Sequence, residues 1–230
     1  TNQKNNQAQI HNQVCMSDDN KQLNFYASLL IIGSIVLSGC VGQTEEISMA
    51  GKQVSLKTED GFSITGTFYE ADSDTGIIML HMLNRNRNDW NQFAEQLQKE
   101  SYKVLSIDLR GHGQSISKDG RTVGWQTFSE KDFNDMILDV KAAKGFLEQK
   151  NVKKFVVIGA SIGANIAVNY AAEDTEINGV ILLSPGLDYR GVKSEGSIKD
   201  YGNRSILIVA SEDDEYSASS SKTLHVAAVG

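Results

Sequence analysis

The chain has 230 residues, 40% of them hydrophobic and 20 of them glycine, enough for one domain with a substantial core and too few for two full ones. Its formal charge is −7 and its Lys and Arg are scattered, which excludes the clustered cations that a nucleic-acid partner requires. Two cysteines, Cys15 and Cys40, and four histidines, His11, His81, His112 and His225, support neither a disulfide framework nor a Cys/His metal spacing, so no metal and no cofactor is expected.

Residues 1–22 are polar, rich in Asn and Gln and without apolar periodicity, the pattern of a disordered tail. Met16, inside this stretch, is a candidate native start. Residues 23–41, LNFYASLLIIGSIVLSGCV, form an apolar run without a charge. The run is short and ends in small residues, which suits a membrane span of about 20 apolar residues poorly. Lys21 precedes it and Leu37-Ser38-Gly39-Cys40 closes it. That ending resembles the lipobox of bacterial and some archaeal lipoproteins, in which the signal is cut before the cysteine and the cysteine carries lipid. Asp18 and Asp19 oppose the charge of Lys21, and an uncleaved anchor or a buried core helix are the alternatives. The resemblance implies lipidation at Cys40 and an extracytoplasmic domain held on a membrane by its N-terminal segment.

From about residue 50 the pattern alternates between strands and helices. Gln53–Thr58 and Phe62–Tyr69 read as an opening hairpin turned at Asp60-Gly61. Runs rich in Val, Ile and Leu predict strands at Gly76–His81, Lys103–Ile107, Lys153–Ile158, Gly179–Leu183 and Ser205–Ala210. Helices are predicted at Asp89–Lys99, Glu130–Gln149, Ile162–Ala172 and Ser217–Ala228. Within the second, taking Phe133, Ile137, Val140, Lys141, Lys144 and Leu147, the apolar members recur at three- and four-residue steps and mark one buried face. Buried strands separated by helices predict an α/β fold with a mainly parallel sheet covered on both sides and an N-terminal antiparallel hairpin.

The strongest chemical signal is Gly159-Ala160-Ser161-Ile162-Gly163, set between the apolar strand Phe155–Ile158 and a helix of small residues. A nucleophile elbow requires that strand–turn–helix setting, because the serine occupies a tight, strained turn at a helix N-terminus. A packing turn rich in glycine is the bland alternative. Asp108-Leu109-Arg110-Gly111-His112-Gly113-Gln114-Ser115 follows the preceding strand, and His81-Met82-Leu83-Asn84 ends the one before that. Together these segments resemble the α/β-hydrolase superfamily over residues 50–230, in particular its serine esterases and lipases.

The resemblance implies Ser161 as nucleophile, with the backbone N–H groups of Leu83 and Ile162 as the oxyanion hole. Met82 is the less favoured alternative to Leu83, and Met82 and Asn84 stand where the family carries glycines. His112 is implied to pack its loop rather than act as a base, and His81 to brace the oxyanion loop. Arg85 and Arg87 are candidates to meet a carboxylate substrate or are solvated charges. The catalytic acid is implied to follow strand Ser205–Ala210, at Asp213 with Asp214 as runner-up; an acidic helix cap is the alternative.

The family places its histidine beyond one more strand. The sequence ends at Gly230, and His225 lies within a predicted helix, so the base, the last strand and the last helix are expected beyond residue 230. About 20 residues between Leu183 and Ser205 leave room for one short helix and no large lid. The expected activity is hydrolysis of short- to medium-chain carboxylic esters through an acyl-enzyme, with a small-molecule ester as substrate. An inactive, membrane-tethered binding module and an amidase or peptidase on the same fold remain the alternatives.

Overall fold

A computed structural model describes residues 13–15 and 51–229. The apolar run 23–41, Met16, Cys40 and His11 lie outside the described residues. No helix of the described residues is long and apolar enough to cross a membrane.

A short strand β1 (Gln13–Cys15) pairs antiparallel with a strand near the other end of the chain, Val14 opposite Val209. The domain proper opens with the hairpin β2 (Lys52–Lys57) and β3 (Phe62–Tyr69). Then follow β4 (Thr75–Leu80), a 3-10 turn at Arg87–Trp90, α1 (Asn91–Lys99) and β5 (Lys103–Ile107). Two short strands, β6 (Ser117–Lys118) and β7 (Arg121–Thr122), precede α2 (Glu130–Asn134) and α3 (Ile137–Gln149). The remainder runs β8 (Lys154–Ala160), α4 (Ile162–Glu173), β9 (Ile177–Leu183), the small hairpin β10 (Asp188–Tyr189) and β11 (Val192–Lys193), α5 (Glu195–Asp200), β12 (Ser205–Ala210) and α6 (Glu215–Val229).

The main sheet has the order β1-β12-β9-β8-β4-β5-β3-β6-β7, with β2 on the free side of β3. The five strands from β12 to β5 are parallel, and β3 joins them antiparallel. This is the α/β-hydrolase fold. Alternation along the strands sends Ile78 and Leu80 to one core with Leu105, Val157 and Ile166, and Ile77 and Met79 to another with Trp90 and Ala94. Each fully buried Leu or Ile side chain stabilises the fold by about 1.5–3 kcal/mol.

The predicted helix over 130–149 is two helices. A capping box between Ser129 and Asp132 starts α2, and the chain breaks at Asp135-Met136. Met136 rather than Ile137 is thereby fully buried, and Asp139 reaches Arg110.

Chain order reverses at β4: the chain steps outward to β5, then crosses back so that β8 lies on the other side. A crevice forms at the carboxyl ends of strands around such a switch point, where α/β proteins bind ligands.

Candidate active site

Ser161 follows β8 at that switch point. Its backbone has φ 54° and ψ −120°, a conformation that costs an L-residue of order 1–3 kcal/mol and persists only where the surroundings enforce it. Here the enforcement is local. Ser161 donates its N–H to the Leu183 carbonyl at 2.8 Å, tying the turn to the end of β9. A Cβ added to Gly159 would stand 2.1 Å from the Gly163 carbonyl oxygen. One added to Gly163 would stand 2.7 Å from the carbonyl oxygens of both Leu80 and His81. The two glycines therefore close the turn and seat the start of α4 against the end of β4. The Ser161 side chain stays half-buried at the head of α4.

Ala164 donates its N–H to the Ser161 carbonyl at 2.9 Å, whereas the Ile162 N–H, at the first helical position, donates in no hydrogen bond among the described residues. Leu83 sits on the loop after β4, the strand paired with β8, and among the described residues its N–H donates in no hydrogen bond. The loop closes through a bond from the Arg85 N–H to the Met82 carbonyl at 3.2 Å. Asn84 takes φ 59° there. Asn tolerates that left-handed conformation better than most residues, which is how it stands where the family carries glycine.

His81 is buried under this loop. Its Nε2 accepts the Leu109 N–H at 3.0 Å and its Nδ1 donates to the Met82 carbonyl at 2.8 Å, so both ring nitrogens are engaged. Burial pushes its pKa down to about 4, with neighbouring His112 adding to the shift. His112 is also buried and its pKa lowered by burial. Its Nδ1 lies 3.0 Å from the Arg110 carbonyl, and its ring lies parallel to Trp125 with centroids 5.5 Å apart. Both rings brace loops.

Arg85, Arg87 and Arg110 are paired within the protein. Arg87 is buried in an ion pair with Asp108, which also accepts the Arg87 N–H at 2.8 Å and the Gln114 N–H at 2.8 Å. Exposed Arg85 makes a two-pronged contact with Asp89 at 2.7 and 2.8 Å. Arg110, in the loop after β5, bridges Asp139 and Asp60 with one guanidinium. This buried bridge fastens the opening hairpin and α3 to the floor of the site, a role the sequence did not reveal.

Asp213 and Asp214 follow β12 and separate clearly. Asp214 is the helix cap: its Oδ1 accepts the Ser217 N–H at 3.1 Å and its carbonyl accepts the Ala218 N–H at 2.8 Å. The Asp213 carboxylate is exposed and holds no partner among the described residues. The Ser184 N–H donates to the Val209 carbonyl at 2.7 Å, so the ends of β9 and β12 adjoin, and Ser161 is bonded to β9. His225 lies ten residues into α6, about 15 Å along the helix from its start. Among the described residues, no cluster of three His, Cys, Asp or Glu side chains is arranged to hold a metal ion.

This geometry has relatives. The family model described as "Serine aminopeptidase, S33" matches residues 71–200. The AB hydrolase superfamily protein YisY of Bacillus subtilis (strain 168) is 32% identical over 133 residues, 56% of this chain and 44% of that relative. The sn-1-specific diacylglycerol lipase ABHD11 of Danio rerio is 27% identical over 138 residues, 58% of this chain and 39% of that relative. The chain thus spans less than half the length of these curated relatives. Among solved structures, the Pyrococcus furiosus esterase Pf2001 is 28% identical with a TM-score of 0.52, over 68% of this chain and 58% of that one.

Proposed function

The chain belongs to the serine aminopeptidase S33 family of α/β hydrolases, and we propose that it hydrolyses carboxylic esters of short to medium acyl chain through an acyl-enzyme on Ser161. The observation that carries this reading is the strained Ser161 turn after β8; the N–H groups of Ile162, next to it, and of Leu83, in the loop after the neighbouring strand β4, donate in no hydrogen bond among the described residues. Ser161 Oγ attacks the ester carbonyl carbon. The carbonyl oxygen becomes negative and is received by those two N–H groups, which are fixed before the reaction and need no reorganisation. The tetrahedral adduct expels the alcohol and leaves the acyl group on Ser161. Water then attacks the acyl carbon and frees the acid.

Asp213 is proposed to orient the histidine that takes the Ser161 proton and returns it to the leaving alcohol. That histidine is none of the three described ones. His81 has both nitrogens committed, His112 is locked under its loop, and His225 is carried away along α6. The short connection between β9 and β12 favours short and medium acyl groups over long ones. Attachment to a membrane through Cys40 belongs to the same proposal and rests on the Leu37–Cys40 sequence alone.

Amide hydrolysis is the second reading, favoured by the aminopeptidase description of the matching family. The 28% identity to an esterase of known structure favours esters. Turnover of p-nitrophenyl esters against aminoacyl p-nitroanilides, with Ser161→Ala as control, tests the choice. Greater kcat/KM on the anilides would reverse it.

A further inference from the structure

The carboxylate of Asp213 has nothing in its own turn to hold it; its N–H makes one long contact to Ser211 Oγ at 3.4 Å. Its position follows the first turn of α6, and that turn is held from outside. The Tyr216 hydroxyl donates to the Asp188 carbonyl at 2.9 Å and accepts the Asp188 N–H at 3.0 Å, gripping both sides of one residue. The Tyr189 hydroxyl lies 3.1 Å from Ser217 Oγ and 3.3 Å from the Ser184 carbonyl. Ser220 Oγ accepts the Leu187 N–H at 3.3 Å. The two tyrosine rings meet edge to face at 5.5 Å, and a Cβ on Gly186 would stand 2.6 and 2.7 Å from them.

The same connecting segment is fastened to the nucleophile's helix. Asn165, fully buried one turn into α4, accepts the Gly186 N–H at 3.1 Å and donates to the Val192 carbonyl at 2.7 Å. Residues 184–194 are thus a brace with one end on the helix that begins after Ser161 and the other on the helix that begins after Asp214. Ser184, at its root, also takes a positive φ, 47°, at the end of β9, the strand next to the one that leads into Ser161.

We propose that Tyr189 and Tyr216 are positioning residues that set the distance between the Asp213 turn and the Ser161 elbow. This rests on the ester-hydrolase reading. Neither tyrosine touches the reacting atoms. They act through the brace, and a shift of about 1 Å in such a constellation lowers turnover strongly.

The test is the Tyr189→Phe/Tyr216→Phe double variant of the full chain, which removes both hydroxyls and keeps both rings. Ester turnover should fall about tenfold in kcat with KM unchanged, because ground-state binding is untouched. Amide exchange at Asp213 and Asp214 should quicken about tenfold as the turn loosens. Gly186→Ala, whose methyl group would force the rings apart, should reproduce both effects by displacement. Wild-type kcat in the double variant would overturn the proposal. If the full-length protein, with the histidine that Asp213 would orient, neither turns over esters nor takes up a serine-directed phosphonate, the hydrolase reading fails instead. Exchange then decides the brace alone, and unchanged rates at Asp213 and Asp214 would remove it.

Discussion

The Leu109 N–H donates to Nε2 of His81 at 3.0 Å, and that bond fixes the ring as the neutral Nδ1–H form, bridging the loop after β5 to the loop after β4. A proton added at Nε2 would meet the Leu109 N–H head-on, which is the local cost of protonation on top of burial.

Stability should therefore depend on pH through this ring. The folded pKa, about 4, lies below the ordinary 6.5, so the unfolded chain binds the proton more readily. The contribution is complete above about 6.5 and is lost as pH falls through that value toward 4. Urea unfolding should show a loss of about 2 kcal/mol from His81 between about pH 7 and about pH 5. In His81→Gln the slope over this interval should shrink, leaving the smaller share from His112, whose pKa is lowered in the same direction. An unchanged slope would separate the acid response from this bridge.

Gly163→Ala should damage the site from within the helix. The new methyl would press on the carbonyl oxygens of Leu80 and His81 at 2.7 Å, both backbone atoms with little room to give. Overpacking of this kind costs about 1–3 kcal/mol. The elbow should also move away from Leu83, so phosphonate labelling of Ser161 should slow more than the loss of stability alone explains. Labelling at the parent rate would show that the glycine is not needed for the approach.

Asp213 and Asp214 are adjacent, and their substitutions should have opposite signatures. Asp214→Ala removes the N-cap of α6 and should cost about 1 kcal/mol in thermal or urea unfolding. Asp213→Ala removes no structural bond and should leave stability unchanged while lowering ester turnover. Equal losses of stability with full turnover in Asp213→Ala would return both residues to a capping cluster.

Much of this organisation was legible in the sequence because it depends on short-range rules. The hairpin at Asp60-Gly61, the continuous apolar runs of β4 and β5, and the strand–turn–helix around Ser161 need only neighbouring residues to declare themselves. What stayed hidden depends on partners far apart in the chain. Arg87 reads as a free cation until Asp108, 21 residues later, is folded against it. Arg110 gives no sign that Asp60 and Asp139 will close on it from opposite sides. Periodicity over 130–149 is satisfied equally by one helix or two, and only the burial of Met136 and the reach of Asp139 decide the break. Tyr189 and Tyr216 belong to no local motif, and their shared grip on Asp188 and Ser184 exists only once α6 lies beside the β10–β11 hairpin.

Cys40→Ser tests the N-terminal proposal in cells. If the cysteine carries lipid and the export signal still works in the variant, Cys40→Ser should release the domain from the membrane fraction. Two or more acyl chains should be found on the parent, because a single chain binds membranes only marginally. Unchanged fractionation would favour an uncleaved anchor or a buried apolar helix over a lipobox.

Ser161 is proposed to be an activated nucleophile, and covalent labelling by a fluorophosphonate reads that activation most directly. Mass spectrometry of the labelled chain should find one adduct, on the peptide containing Ser161. Ser161→Ala should abolish both the adduct and p-nitrophenyl ester turnover, since loss of a serine nucleophile costs on the order of 10⁶ in turnover. His225→Ala, measured alongside, should leave the labelling rate unchanged. An adduct retained in Ser161→Ala, or a parent chain that binds an ester without ever reacting, would contradict the account and leave a hydrolase fold that serves as a binding module.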